Sequence, residues 1–290
     1  MSVLTEKPDV SIPAASSTQT AIPAARPGFV SEVRRRGQIA WKMARLYRNW
    51  PMAVLDRFYL VKPQPIVYRL RDGLQFSVGT RDAGIINEIW LDGAYTSAPG
   101  FAIRDNWVVA DLGGHKGIFA VFAATRAKGV KVFSFEPSPE NFALLTSNVQ
   151  RNQLTNVKAF NVAVSNRDGE STLHITPEAW SNTLLEGAGS RSAGDVQVET
   201  WSLSRALRTI GSPVDLVKMD IEGMEYQALL SCPPEDLRSV ARIAMEYHHD
   251  PSPNPHTISE LIQFLHANGF TTQLYPGQEL LIAEHKSTVS

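Results

Sequence analysis

The chain has 290 residues, 43% of them hydrophobic, and a formal net charge of −1. It is long enough for a substantial core, and its charge balance gives no whole-chain electrostatic footprint for nucleic acid. A single cysteine, Cys232, excludes an internal disulfide and a cysteine-rich zinc site, and no apolar run is long enough to span a bilayer; a reducing cytoplasm is the expected compartment.

Met1 to Gly28 mixes Ser, Thr, Ala and Pro with charges and lacks the apolar core of a secretory signal, so a disordered tail is expected. Residues 31–50 read as a basic helix, with Arg34, Arg35, Arg36, Lys42, Arg45 and Arg48 set among Val33, Ile39, Trp41, Met43, Leu46 and Tyr47. The expected role is a solvated basic face on a helix packed over the following domain. Attraction to an acidic membrane surface or to nucleic acid is the alternative. Pro51, Pro63 and Pro65 punctuate the link to a β-type stretch, Ile66 to Val78, whose Asp72-Gly73 reads as a hairpin turn, and Ile85 to Trp90 reads as a short helix. Residues 29–105 are thus expected to form an N-terminal helical and β cap, and 106–286 a second domain.

From Trp107 onward strands and helices alternate, which implies an α/β fold with a mainly parallel sheet and right-handed crossovers. Strands are expected near 107–111, 131–136, 157–162, 214–220 and 240–247. Helices are expected near 117–128, 138–152, 202–210 and 224–231. Two further strands, near 271–276 and 279–284, flank Pro276-Gly277 and should form an edge hairpin. Gly169 to Thr200 interrupts the alternation. Its Glu170–Ile175 and Val196–Glu199 parts look extended, while Gly187 to Gly194 looks mobile, a composition suited to a lid beside a cleft.

The first strand of this alternation runs into Asp111-Leu-Gly-Gly-His-Lys-Gly117 and then the helix-forming Ile118-Phe-Ala-Val. Strand, glycine turn and helix make a cofactor-binding element, because glycines permit tight turns and close ligand approach. Twenty-five residues after Asp111, the next strand ends in Glu136, placed to accept hydrogen bonds from two ribose hydroxyls. The spacing is not the G-x-G-x-x-G of dinucleotide sites, whose pyrophosphate needs a helix N-terminus across a minimal turn. An acid before a looser turn suits a ligand with an ammonium group and no phosphate, as S-adenosylmethionine is.

The fourth main strand, Val214 to Asp220, runs into Ile221-Glu222-Gly223-Met224-Glu225. Alternation places Lys218 and Asp220 on one side and Met219 on the other, at the edge where open α/β sheets bind ligands. Glu222 and Glu225 could equally be first-turn acids favoured by a helix dipole. The fifth strand ends in Glu246-Tyr-His248-His249-Asp250, where a histidine could take a proton from a substrate hydroxyl. Asp220, Glu222, Glu246 and His248 could also ligate a divalent cation, although spacing alone does not make them converge.

Together with Asp111–Gly117, the blocks Phe133-Ser-Phe-Glu-Pro-Ser-Pro-Glu-Asn-Phe142, Ala163-Val-Ser165, Leu216-Val-Lys-Met-Asp-Ile-Glu-Gly-Met-Glu225 and Met245-Glu-Tyr-His248 resemble the FkbM family of S-adenosylmethionine-dependent methyltransferases. Asp72-Gly73 and Glu88-Ile-Trp-Leu-Asp-Gly-Ala-Tyr95 fit the family's lead-in, so the resemblance covers about residues 66–285. It implies a class I methyltransferase, Rossmann-like fold with a seven-stranded sheet. Asp111 and Gly113 would sit by the methionine part, Glu136 at the ribose, the Asn161–Ala163 turn against adenine, and Asp220 at methyl transfer. Gly117 and Tyr95 complete the expected cofactor set. His115 and Lys116 depart from the family pattern. The implied activity is O-methylation of a small-molecule hydroxyl, on a sugar or secondary metabolite, with Asp220 or His248 as base and Lys218 and Glu222 orienting the site. No metal and no nucleic-acid partner is expected. A nicotinamide-dependent oxidoreductase, a nucleic-acid methyltransferase and a docking module without turnover are the rivals. The Asp/Asn-Pro-Pro-aromatic turn of base methylation is replaced here by Asp220-Ile-Glu-Gly.

Overall fold

Residues 29–62, 64–80, 82–175, 182–184, 194–248 and 255–288 are described by the computed structural model. The expected tail 1–28, residues 187–193 of the insertion, and His249 and Asp250 lie outside them. The chain divides into residues 1–38 and a larger unit, residues 39–290. Within the first, the described part is the beginning of helix α1 (Phe29–Leu46); all that follows concerns the second.

After α1 come α2 (Trp50–Arg57), the hairpin β1 (Ile66–Arg69) and β2 (Gln75–Val78), and α3 (Ala83–Asn87), which continues into a π-helical turn, Glu88–Asp92. The expected turn at Asp72-Gly73 joins β1 and β2, with Gly73 at φ 102° and the Asp72 carboxylate accepting from the Leu74 N–H at 3.1 Å. The alternating region follows as β3 (Val108–Leu112), α4 (Ile118–Arg126), β4 (Lys131–Phe135), α5 (Pro139–Arg151) and β5 (Val157–Phe160). Next are β6 (Ala163–Ser165), β7 (Gly169–Ile175), β8 (Gly194–Ser202), α6 (Leu203–Ile210) and β9 (Leu216–Met219). The chain closes with α7 (Glu225–Leu230), α8 (Pro234–Leu237), β10 (Arg242–Glu246), α9 (Ile258–Ala267), β11 (Phe270–Tyr275) and β12 (Leu280–His285).

Seven strands form one sheet in the order β11-β12-β10-β9-β3-β4-β5. The five from β10 to β5 are parallel, and β12 runs antiparallel to both β10 and β11. This is the expected class I methyltransferase sheet with its hairpin at one edge. Its strands read as continuous apolar runs because helices cover both faces. Period-2 alternation sends Val109 and Leu216 to the face covered by α4 and α5, while Ala110, Leu112, Val217 and Met219 meet α6, α7 and α9.

The two parts of the insertion expected to be extended, Glu170–Ile175 and Val196–Glu199, lie in strands β7 and β8. β7 and β8 pair antiparallel along their length, and β6 joins β8 in parallel, giving a separate three-stranded sheet. The cap residues pack directly onto the chain that follows residue 105. Tyr47, Tyr68, Phe76 and Phe101 share one core with Ile118, Phe119 and Leu145. Two asparagines of α5 reinforce this junction. Asn148 exchanges hydrogen bonds with the Ser77 backbone and Asn152 with that of Gln75, satisfying peptide groups along β2.

Candidate active site

The turn after β3 rests on a polar row that crosses the sheet. Ser134, Asp111 and Lys218 are direct neighbours on β4, β3 and β9. Ser134 Oγ donates to Asp111 Oδ2 at 2.7 Å, and Lys218 Nζ lies 3.5 Å from Asp111 Oδ1. Lys218 also donates to the Gly113 carbonyl at 2.7 Å and stands 3.6 Å from Asp220 Oδ2. Burial opposes its charge, but Asp220 and Asp111 outweigh that and hold its pKa above the ordinary value. Asp111 is fully buried, and burial raises its carboxyl against the pull of Lys218 and Ser134. Asp111 therefore underpins the glycine turn and is not among the residues lining the cavity.

Gly113 takes φ 79°, and a Cβ there would overlap the Asp220 carbonyl. This close approach brings the first and fourth strand ends together. Gly113→Ala should cost about 3 kcal/mol or more, because it combines left-handed strain with a backbone clash. Thermal unfolding and cofactor titration of this variant would check it; an unchanged melting temperature would show that the turn can open. Gly117, expected among the cofactor contacts, does another job. It begins α4 at φ 77°, and a Cβ would meet Leu145 at 3.0 Å, so it allows α4 and α5 to pack closely and does not line the cavity.

Glu136 lies beside this turn. Its Oε2 accepts from the His115 N–H at 2.7 Å and its Oε1 from the Ser138 N–H at 2.9 Å, which fixes the carboxylate. Burial pushes its pKa up to about 7 against those hydrogen bonds. The His115 ring is driven down to about 3, chiefly by burial, so it is neutral, and its Nε2 is buried without a protein hydrogen bond. Lys116, the other departure from the family pattern, forms a buried ion pair of 2.6 Å with Asp82 and ties the turn to the start of α3.

At the far side, Tyr95 reaches from the cap into the space between β9 and β10. Its hydroxyl is 3.1 Å from Asp220 Oδ2 and 3.0 Å from Glu246 Oε2. The single hydroxyl proton is shared by the two carboxyls, which compete for it. Burial and the Asp220 charge both raise the pKa of Glu246. Glu222 is pushed up to about 8, first by burial and then by Asp220.

His248 is placed differently from a proton acceptor. Its Nδ1 is 3.1 Å from Glu225 Oε1, while Nε2 faces Glu222 at 3.6 Å and Glu246 at 3.8 Å. Burial alone would lower its pKa, but the hydrogen bond to Glu225 and the charges of Glu225, Glu222 and Asp220 raise it to about 10. The imidazole is therefore a cation at neutral pH, which runs against its expected role as base. Asp220, Glu225 and His248 each offer one ligand atom within 4.8 Å of the others and could hold a metal ion. The donor set fits poorly, however: both Glu225 oxygens already accept backbone N–H groups, and His248 would have to release its proton.

These groups surround a cavity of about 820 Å³, within the range of small-molecule sites. Gly113, Glu136, Ala163, Lys218, Asp220 and Glu222 line it, and Tyr95 closes one side. The insertion contributes Leu173, Asn182 and Leu184, and Thr183 Oγ1 donates to the Glu222 carbonyl at 2.6 Å. Sequence reading missed Asp82 and Glu88 of the cap, which also line it. Only Glu88 carried a signal, as the first residue of the lead-in block.

Comparison with known proteins agrees with this arrangement. The model of the Methyltransferase FkbM domain matches residues 111–272, more than half the chain. The 31-O-demethyl-FK506 methyltransferase FkbM of Streptomyces tacrolimicus is 26% identical over 68% of this chain and 86% of its own length. Methyltransferase sdnD of Sordaria araneosa is 28% identical over 56% of this chain and 73% of its own. The hexuronic acid methyltransferase AglP of Haloferax volcanii is 26% identical over 62% and 71%. With the matched region running from the Asp111 turn through the strands that carry Asp220 and Glu246, the chain belongs to the FkbM family of methyltransferases.

Proposed function

We propose that this methyltransferase, whose cofactor is S-adenosylmethionine, methylates a hydroxyl group of an uncharged small molecule. The observation that carries this reading is one cavity joining a ribose-type acid, Glu136, to the carboxyl pair Asp220 and Glu246 across the glycine turn. Glu136 holds the ribose hydroxyls, Ala163 borders the adenine, and Gly113 lets the methionine part approach the backbone. Bound in this way, the cofactor would present its sulfonium methyl on the Asp220 side of the cavity. The cofactor would supply its methyl group by in-line displacement, the acceptor oxygen bonding to the methyl carbon as the carbon–sulfur bond breaks and the sulfur leaves as a neutral thioether. Positioning supplies most of the rate, and Asp220 takes the hydroxyl proton as the new bond forms. Tyr95 and Lys218 hold the Asp220 carboxylate in place, and Glu222 borders the acceptor.

The relative named for 31-O-demethyl-FK506 supports an oxygen acceptor. The Asp220 carboxylate on the cavity wall disfavours an anionic one. Burial and the Asp220 charge already raise the pKa of Glu88, Glu222 and Glu246 around it, and a further anion would meet the same repulsion in a partly desolvated space. Incubation with methyl-labelled S-adenosylmethionine and extract of the native host, followed by identification of the product, tests the assignment; label on nitrogen or on nucleic acid would overturn it.

Cofactor binding gives a separate prediction. Glu136→Ala should weaken S-adenosylmethionine binding by about 1–3 kcal/mol in calorimetry, the range for hydrogen bonds to a charged group. Wild-type affinity should also fall as the pH drops below about 7, where the Glu136 carboxyl takes up a proton and loses acceptor strength. Binding of NAD in place of S-adenosylmethionine would favour the dehydrogenase reading.

A further inference from the structure

All the exposed large hydrophobic side chains among the described residues fall within one stretch of twenty residues. They are Trp41, Trp50, Met52, Leu55, Tyr59 and Leu60, with exposures from 36% to 70%. A folded chain that buries or partly buries its other described large apolar groups does not leave six exposed ones in a single segment by composition alone. The segment is not loosely attached. Met43, Leu46, Tyr47 and Ala53 are buried in the main core, so the outward residues are held outward. In α1 the spacing makes this plain: Met43 and Leu46 face in, while Trp41 and Arg45, four apart, face out. In α2, Ala53 and Asp56 face in and Met52 and Leu55 face out.

The charge of the same stretch is mainly positive, with the exposed Asp92 beside Lys42 at 3.5 Å as a neighbouring acid. Residues 39–62 carry Lys42, Arg45, Arg48, Arg57 and Lys62, all exposed, in a chain of formal net charge −1. The one acid in that stretch, Asp56, is buried and accepts a hydrogen bond from the Tyr68 hydroxyl. Arg45 lies over the Trp41 ring at 4.6 Å, which keeps cation and indole together at the surface.

We infer that this face docks on an anionic lipid bilayer surface. Exposed tryptophan and tyrosine, aliphatic tips and a surrounding set of lysines and arginines are what an interfacial segment needs: apolar groups to enter the headgroup boundary and cations to meet lipid phosphates. No described helix is long and apolar enough to cross a membrane, so the segment lies on the surface. A second copy of the chain is the poorer occupant, because a two-fold contact would set five cations against the same five. Nucleic acid would use the cations and the rings but leaves Met52, Leu55 and Leu60 without a role. The inference is independent of the methyl acceptor, for it rests on a surface outside the cavity.

Flotation of the full chain with phosphatidylcholine vesicles, with and without phosphatidylglycerol, tests it. Binding should require phosphatidylglycerol and fall about tenfold or more from low to high salt. The double variant Leu55→Ser/Leu60→Ser and the double variant Lys42→Glu/Arg45→Glu should each lose about tenfold or more of the binding while keeping the wild-type melting temperature. A second readout is a blue shift of tryptophan emission on adding the anionic vesicles, reduced in Trp41→Ala. Wild-type chain that stays with the aqueous fraction at low salt would overturn the inference. So would a dimer in light scattering that Leu55→Ser/Leu60→Ser dissolves, or binding to duplex DNA that this variant leaves unchanged while vesicles bind no better than DNA.

Discussion

Lys218→Met should cost about 3–5 kcal/mol of folding stability, the usual penalty for removing one partner of a buried ion pair. The loss is large because Lys218 answers to several groups at once. It offsets Asp111, which has no exposure, stands beside Asp220, and donates to the Gly113 carbonyl inside the glycine turn. Without it Asp111 keeps Ser134 but loses its counter-charge. Urea unfolding would measure the change, and a loss below about 1 kcal/mol would mean that the pair behaves like an exposed one. The pH dependence has a definite sign. The raised Lys218 pKa means that its contribution is fully present below its unfolded value and fades only as the pH climbs through the folded one, so the Lys218 contribution itself does not grow in acid. In the variant, Asp111 can shed its buried charge by taking up a proton, so the deficit should shrink as the pH falls. Adding Asp111→Asn to Lys218→Met should recover part of the loss, because the two changes share one interaction.

Much of this fold could be read from the chain because the physics that sets it is local and periodic. Apolar runs ending in acids, each followed by a helical pattern, left little choice but a parallel sheet with ligands at its carboxyl edge. Asp220 and Glu136 were legible for that reason: strand parity and position place them at the edge whatever the rest does. Other features depended on contacts far apart in sequence. Nothing local in Asp111 says that it supports the turn from below, because that follows from pairing with Ser134 and Lys218 across two neighbouring strands. Gly117 looked like a ligand glycine for the same reason, yet the group it makes room for is Leu145 of α5. His248 is the sharpest case. Its type and position suggested a base, but its protonation is set by Glu225 and Glu222, whose approach depends on how the chain turns after β9. The amphipathic pattern of residues 31–50 could not show which apolar side chains would remain outside; for residues 39–50, packing against Tyr68 and Phe76 decides that.

Asp220→Asn should lower turnover by about 10²–10⁴-fold, the range for loss of a general base, while S-adenosylmethionine affinity changes by less than about tenfold. The split follows from when the interaction forms: an amide preserves the shape that the cofactor meets but cannot take the hydroxyl proton in the transition state. His248→Gln should behave otherwise. With its pKa near 10, the histidine carries its proton throughout the neutral range, so it stabilises the acids around it and removes no proton from the acceptor. Its stabilising effect should be complete below the ordinary histidine pKa and vanish as the pH rises through about 10. His248→Gln should therefore cost about 2 kcal/mol of stability at neutral pH, as loss of a charge-assisted hydrogen bond does. Turnover should fall by about tenfold or less, through misplacement of Asp220 and not loss of a base. The wild-type rate profile should show no limb near 6.5 that His248→Gln removes. Were that limb present and abolished in the variant, the histidine would be the base after all. Chelation closes the remaining alternative on the same protein. Treatment with EDTA should leave the rate unchanged; if it abolished turnover and manganese restored it, Asp220, Glu225 and His248 would be metal ligands, and the loss in Asp220→Asn would measure the metal instead of the base.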